Sequence, residues 1–313
     1  MRLADRSSNS IAILLCTMQG QRFLREQLDS IVRQTHRNWT IWVSDDGSND
    51  DTHTILSEYR TNLGDSRLFV HSGPSDGFAA NFLSLACKAG VSADFYAFAD
   101  QDDVWEVDKL ALALNWLQTV PSHLPALYCG RTRIVDAKNQ DIGFSPLFTK
   151  PPCFANALVE NIAGGNTMMF NNAARRFLCK AGPEVKVVSH DWWTYLIVAG
   201  CGGRVFYDLT PMVRYRQHDT NLIGFKSSWS ASMTRLRMLF YGRFQHWNDI
   251  NLEALKTMRQ HLTPENKFAL DEFLKARNSP FIARQIRLRR SGIHRQTVLG
   301  NIGLFVASIF KKL

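Results

Sequence analysis

Apolar residues in the first third of the chain come in short unbroken runs. Each run is followed by a stretch in which they recur every three or four positions. Ile11-Ala12-Ile13-Leu14-Leu15 is the first run, and a continuous apolar segment of that length predicts a strand buried on both faces. Phe23, Leu24, Leu28, Ile31 and Val32 follow at helical spacing. The alternation repeats, with strands predicted at 40–43, 68–70 and 95–99. The intervening helices are marked by Ile55, Leu56 and Tyr59, by Phe78, Phe82, Leu85 and Ala86, and then by Leu110, Leu114 and Leu117. Such strand–helix alternation over about 120 residues predicts an α/β protein with a mostly parallel sheet and helices on both faces. Sheets of this kind bind ligands beyond the carboxyl ends of their strands. Thr17, Asp45 and Asp100 each follow a predicted strand, so all three are expected along that one edge.

After Pro121 the alternation loosens. Strands are predicted at 127–129, 167–170, 205–207 and 212–215, and helices at 171–180 and 192–199. From about residue 225 the pattern turns helical and basic. The expected division is a sheet-bearing domain over residues 1–225 and a basic, mostly helical region over 226–313. No internal repeat or low-complexity linker interrupts either part.

A chain of 313 residues with 45% hydrophobic and 21% charged residues is a folded protein rather than a disordered one. Its net charge of +9 is unevenly placed: residues 273–313 contain nine Lys and Arg and no acid. The rest of the chain is close to neutral, so an electrostatic partner belongs to the C-terminal end. There a basic stretch precedes the apolar segment 298–310, which is too short to span a bilayer. That combination fits a helix lying in a membrane surface; a core or dimer helix with a solvated basic flank is the alternative. The six cysteines have no CxxC or metal-like spacing and read as reduced core residues of a cytosolic protein. The polar N-terminus predicts no signal peptide.

The chemistry concentrates where apolar runs meet acids. Residues 95–99 run straight into Asp100-Gln101-Asp102-Asp103, with Trp105 close behind. Clustered carboxylates at the end of a buried strand are costly without a positive partner. A hard divalent cation with oxygen preference, Mg2+ or Mn2+, is such a partner, and these ions are commonly shared with substrate phosphates. Asp45-Asp46-Gly47-Ser48 closes the second strand. It reads either as a turn or helix cap, or as a carboxylate accepting hydrogen bonds from a nucleobase or ribose. In Ser189-His190-Asp191-Trp192-Trp193, Asp191 is either a helix-start residue or a general base for a sugar hydroxyl. The tryptophans are either a platform for sugar rings or core residues. Arg214-Tyr215-Arg216-Gln217-His218 offers Arg216 as a phosphate clamp and His218 as a metal or diphosphate ligand. Gly164-Gly165-Asn166 is permissive backbone, suited to close approach by a ligand or to a plain turn.

Taken in order, these motifs resemble the family 2 glycosyltransferases of GT-A fold over residues 10–222. The resemblance rests on residues 11–16 with Thr17, Gln27-Leu28-Asp29-Ser30-Ile31 with Gln34-Thr35, and Ser44-Asp45-Asp46-Gly47-Ser48-Asn49-Asp50. It rests equally on Ala99-Asp100-Gln101-Asp102-Asp103, Ser189-His190-Asp191 and Tyr215-Arg216-Gln217-His218. Asp100-Gln101-Asp102-Asp103-Val104-Trp105 and His190-Asp191-Trp192-Trp193 look most like bacterial rhamnosyltransferases of cell-surface polysaccharide assembly. The resemblance implies that Thr17 and Asp45 hold the nucleotide base and ribose, with Asp100 at the ribose or supporting the metal site. It implies that Asp102 is the main metal ligand, with His218 assisting, and that Asp191 deprotonates the acceptor. Gly165, Asn166, Trp192 and Trp193 are then expected near the acceptor, and Arg216 near the donor phosphates. The family pattern often has Glu-Asp where this chain has His190-Asp191, so acceptor contacts are expected to differ. The Q-x-x-R-W motif of processive members is missing, because Gln217 is followed by His218-Asp219-Thr220-Asn221; one sugar per acceptor is the expectation.

The expected partners are a nucleotide diphosphate sugar, a saccharide or lipid-linked acceptor and a membrane surface, with no nucleic acid. The expected place is the inner face of the cell membrane. Three rival readings fit less well. A nucleotidyltransferase usually carries a lysine in the loop after the first strand, which Cys16-Thr17-Met18-Gln19-Gly20-Gln21 lacks. A nucleic-acid-binding module using the basic tail leaves the acidic strand ends unexplained. A dinucleotide oxidoreductase is disfavoured because no GxGxxG follows the first strand.

Overall fold

The computed structural model describes residues 9–219 and 243–313. Strand β1 (Ile11–Thr17) is buried at every position. Ile11, Ile13, Leu14 and Leu15 are each 0% exposed, and at about 2 kcal/mol per buried aliphatic side chain they anchor the sheet. β2 (Trp39–Asp45) and β4 (Phe95–Ala99) flank β1 in parallel, and β3 (Leu68–Ser72) extends the sheet beyond β2. On the other side β9 (Met169–Asn171) runs antiparallel between β4 and β6 (Ala126–Gly130), and β10 (Arg204–Asp208) closes the edge in parallel with β6. The order of the seven strands is β10-β6-β9-β4-β1-β2-β3.

The two faces of this sheet are covered by different helices, because alternate strand residues point to opposite sides. Ile11, Ile13 and Leu15 pack with α1 (Leu24–Val32), α2 (Thr52–Leu63) and α4 (Lys109–Leu117). Ala12, Leu14 and Cys16 pack on the face that carries α3 (Phe78–Cys87), the single turn α5 (Phe154–Ala157), α6 (Asn172–Ala181) and α7 (His190–Gly200). Buried residues of α8 (Arg243–Met258), α9 (Pro264–Asn278) and α11 (Val298–Ile309) join that second apolar cluster, and α10 (Phe281–Ser291) lies between α9 and α11 in the chain. The expected boundary near residue 225 falls outside the described residues.

A second, four-stranded sheet has the order β5-β11-β7-β8. Its members are β5 (Val104–Trp105), β7 (Arg133–Val135), β8 (Asp141–Phe144) and β11 (Val213–Arg216). It returns the chain after Val213 to the segment that leaves β4, since Arg214 pairs with Val104.

The predicted alternation over the first 120 residues matches the observed order of elements. Residues 167–170 depart from expectation: the segment opens as a 3-10 turn, Gly165–Thr167, and the strand that follows is antiparallel. All six cysteines are free; Cys16 and Cys129 are core residues, whereas Cys87, Cys153, Cys179 and Cys201 are only half-buried. Among the described residues no helix is long and apolar enough to cross a membrane.

Candidate active site

Strand register sets the site. Thr17 lies opposite Asp45, and Leu15 opposite Ala99, so β1, β2 and β4 end at one edge and release Met18, Asp46 and Asp100 there. Asp45 is 4% exposed. One of its carboxylate oxygens accepts hydrogen bonds from the Thr17 hydroxyl at 2.7 Å and the Ser48 hydroxyl at 2.6 Å. The other accepts from the Gly47 and Ser48 amides at 3.2 and 2.8 Å and faces His53 Nε2 at 3.2 Å. Burial pushes this carboxyl up, but the bonds from Ser48 and Thr17 outweigh it and hold the pKa below the usual carboxylate value. Thr17 and Asp45 therefore brace each other and the loop that follows β2. A nucleobase N–H reaches Asp45 only in exchange for one of these bonds.

The end of β4 is acidic and crowded. Burial, followed by the charges of Asp103, Asp102 and Asp191, raises the half-buried Asp100 carboxyl well above the usual carboxylate value. Asp102 Oδ2 lies 2.7 Å from His218 Nε2, and both side chains are largely shielded. Asp103 points the other way. It is 0% exposed, and it accepts the Asn166 side-chain amide at 2.5 Å and the Arg216 backbone N–H at 3.2 Å. Burial and the charge of Asp102 push Asp103 up to about 8. Beneath it Lys109 is 2% exposed, with Nζ 3.6 Å over the Trp105 ring. Burial pulls this amine down to about 7, against the charge of Asp103.

This arrangement fits a divalent cation. Mutually repelling carboxylates at one edge are relieved by positive charge. Asp102 and His218 bond each other directly at 2.7 Å, so a cation would have to part this pair; their oxygen and imidazole donors suit Mg2+ or Mn2+. Among the described residues no cluster of three or more His, Cys, Asp or Glu side chains could hold a metal. If these two side chains held the ion, the remaining positions would fall to substrate phosphates and water.

Helix α7 brings in Asp191. Every residue of α7 is buried except Asp191, which stands in its first turn. Its carboxylate accepts the Gly165 amide at 3.2 Å, the Trp192 amide at 2.6 Å and the Ser189 hydroxyl. The 3-10 turn thus makes two bonds from adjacent residues, Gly165 to Asp191 and Asn166 to Asp103. His190 faces the opposite way, into an aromatic box. Its ring stacks on Phe82 at 3.8 Å and meets Phe98 edge-on at 4.8 Å, and neither ring nitrogen has a hydrogen-bond partner. Burial pulls this imidazole down to about 4, against the charge of Asp191. A β-carbon at position 165 would overlap His190 Nε2, which explains a glycine there.

The structure corrects several sequence expectations. Arg216 is not an open phosphate clamp. It is 0% exposed, and its guanidinium donates to the Asp102 carbonyl at 2.9 Å, the Ala137 carbonyl at 3.0 Å and Glu26 at 2.7 Å. It straps the acidic loop onto the second sheet. Trp192 and Trp193 form no sugar platform, being 5% and 0% exposed in the core of α7, with the Trp192 indole bonded to the Ala157 carbonyl at 2.7 Å. Asn166 is 3% exposed and holds Asp103, so its amide is already engaged within the protein. Gln101 went unnoticed in the sequence. Its side chain accepts from the Met18 amide and donates to the Met18 carbonyl, both at 2.9 Å, tying the loop after β1 to the acidic loop. Its signal was the single amide in a run of carboxylates.

Comparison with known proteins bears on the family and the fold. The family model described as Glycosyl transferase family 2 matches residues 12–181. The chain is 28% identical over 236 residues to the dTDP-rhamnosyl transferase RfbG of Shigella flexneri, covering 72% of this chain and 78% of the relative. It is 28% identical over 107 residues to the UDP-Glc:alpha-D-GlcNAc-diphosphoundecaprenol beta-1,3-glucosyltransferase WfgD of Escherichia coli, covering 34% of this chain and 40% of the relative. Among solved structures, residues 1–349 of S. aureus TarS in complex with UDP-GlcNAc superpose with a TM-score of 0.54 at 14% identity, over 90% of this chain and 89% of that one. GalNAc-T7 with UDP, GalNAc and Mn2+ gives a TM-score of 0.53 at 11% identity, over 92% of this chain and 55% of that one. The structural likenesses establish the GT-A fold, and with more than half of its length matched by the family model the chain belongs to glycosyl transferase family 2.

Proposed function

We propose that this glycosyltransferase moves one sugar, with inversion, from a nucleotide diphosphate donor to an acceptor hydroxyl, and that Asp191 is the base. The observation that carries this reading is that Asp191 alone is only half-buried on a helix otherwise buried, within electrostatic reach of Asp100. A sugar hydroxyl is a weak nucleophile, and a carboxylate that takes its proton as the new bond forms supplies the missing drive. Three donors fix the Asp191 carboxylate, so its orientation is set before the acceptor arrives. Asp102 and His218 would hold Mg2+ or Mn2+, whose bound charge stabilises the departing diphosphate as a Lewis acid. Arg216, Asn166 and Gln101 keep the acidic loop in place. Attack from the face opposite the leaving group is a single displacement and inverts the anomeric carbon.

The finer terms rest on the relatives and on the sequence. Likeness to a dTDP-rhamnosyl transferase supports rhamnose from a dTDP donor. Likeness to the Escherichia coli relative, by name a glucosyltransferase acting on a diphosphoundecaprenol-linked sugar, supports a lipid-linked acceptor in surface polysaccharide or O-antigen synthesis, at the inner face of the membrane. The test is a donor screen with Mg2+ or Mn2+, reading diphosphate release in the presence of acceptor, beginning with dTDP-rhamnose. Asp191→Asn should lower kcat by about 10²- to 10⁴-fold while donor binding by calorimetry persists. Transfer at near wild-type rate by Asp191→Asn would overturn the assignment of the base.

A further inference from the structure

Two C-terminal helices carry an apolar face that the chemistry does not use. α10 exposes Phe281, Ile282 and Ile286, and α11 exposes Leu299, Ile302 and Phe305, with Ile282 at 75% and Leu299 at 72%. On α11 the exposed positions 298, 299, 302, 305 and 309 recur at three- or four-residue steps, which is one stripe. Leu304, Ala307 and Ser308 are buried. The two helices are joined where Arg284 donates to the Ser308 carbonyl and Gln285 donates to the Ser308 hydroxyl at 2.8 Å. Eight of the eighteen exposed large apolar side chains among the described residues stand on these two helices. Concentration of that kind marks an interaction surface rather than ordinary scatter.

Charge identifies the partner. Residues 273–313 hold nine bases and no acid. Lys275, Arg277, Arg287, Arg290 and Arg295 pair with Glu272, Asp249 or Glu160, and Arg284 is buried on backbone carbonyls. Arg289 at the end of α10, and Lys311 and Lys312 just past α11, have no carboxylate partner among the described residues. A second copy of this face would bring these like charges together without an acid between them. A bilayer of anionic lipids accepts both the stripe and the bases. α11 has 12 residues, about 18 Å of helix against a hydrocarbon core of about 30 Å, so it can lie in the surface but not span it.

We propose that the α10–α11 face docks in the headgroup layer of an anionic membrane and thereby presents the site to an acceptor held in that membrane. This deepens the proposed function and, for the acceptor, rests on it. The path to the site is continuous. The Gln296 amide just ahead of α11 donates to Glu160 at 2.6 Å, Asn156 in α5 donates to the His294 carbonyl at 3.0 Å, and Tyr195 in α7 donates to Asn156 at 3.0 Å. Docking therefore fixes the height of α7, and with it Asp191, above the lipid.

The test uses the full chain and needs no sugar donor, so it fails or succeeds independently of glycosyl transfer. Phosphatidylcholine vesicles with and without phosphatidylglycerol are sedimented with protein. The wild type should pellet with the anionic vesicles. The double variant Ile302→Asp/Phe305→Asp, at exposed positions, should stay in the supernatant while keeping wild-type thermal stability and donor binding. The triple variant Arg289→Gln/Lys311→Gln/Lys312→Gln should lose roughly 10²-fold in affinity for anionic vesicles, from about 1 kcal/mol per base and 1.4 kcal/mol per tenfold. Wild-type protein that ignores anionic vesicles, unchanged binding by the double variant, or a stable dimer that the double variant dissolves would overturn the proposal.

Discussion

The buried imidazole of His190 makes a measurable prediction about acid stability. Its pKa falls from 6.5 to about 4 in the folded protein, because burial disfavours the charged form more than Asp191 favours it. The unfolded chain takes up a proton near pH 6.5, and the folded chain does so only near pH 4. Between those values the unfolded state holds more protons, so stability contributed by neutral His190 is lost as the pH falls through this window. A gap of about 2.5 pH units at 1.36 kcal/mol per unit is about 3 kcal/mol, most of it gone by about pH 4.5. Asp103, raised to about 8, pulls the other way, because its protonated form favours the folded state as pH falls. That contribution is common to wild type and variant and cancels in the comparison. The perturbation is His190→Leu, which cannot titrate and keeps apolar contact with Phe82 and Phe98. It lowers stability at neutral pH, but the informative quantity is the slope. Urea unfolding of both proteins from about pH 7.5 to 4.5 should give a variant that loses about 2–3 kcal/mol less than wild type over that range. Parallel pH profiles would refute the reasoning.

Three other outcomes follow from the same geometry. Asp102→Asn should abolish Mg2+- or Mn2+-dependent diphosphate release, and His218→Ala should raise the metal concentration required; titration of activity against Mn2+ reads both. Gly165→Ala places a β-carbon on the His190 ring, so it should destabilise the protein by about 1–3 kcal/mol in urea unfolding and lower kcat by displacing Asp191. Arg216→Met removes a fully buried guanidinium from two carbonyls and Glu26. It should cost about 3 kcal/mol in thermal unfolding, with Arg216→Lys recovering part of it.

The fold of the first half was legible because unbroken apolar runs such as residues 11–15 have few alternatives to a doubly buried strand. The shared edge of Thr17, Asp45 and Asp100 followed from parallel register alone. Of the second sheet only β11 was legible, as the strand predicted at 212–215: β5 has two residues and β7 three, too few for any periodicity to register. Trp192 and Trp193 could be read from the sequence as a sugar platform or as core residues, and a motif beside a predicted base invites the first reading. Nothing in the local sequence says that α7 is surrounded on all sides. Arg216 shows the same difficulty in another form. A cation at a strand end serves a ligand or its own loop equally well by sequence, and only the carbonyls of Asp102 and Ala137, 114 and 79 residues away, decide between them. His190 was visible as a departure from the family pattern, but its aromatic surroundings come from two other elements, α3 and β4.

The 3-10 turn has a consequence for how this enzyme can change. Gly165 and Asn166 are neighbours in the chain, yet one grips Asp191, the proposed base, and the other the acid-rich loop. Neither half of the machinery can drift without dragging its counterpart, so mutations near the turn disturb both ends of the reaction at once. New sugar preferences are therefore expected to evolve by altering segments outside this staple, while the staple itself stays fixed.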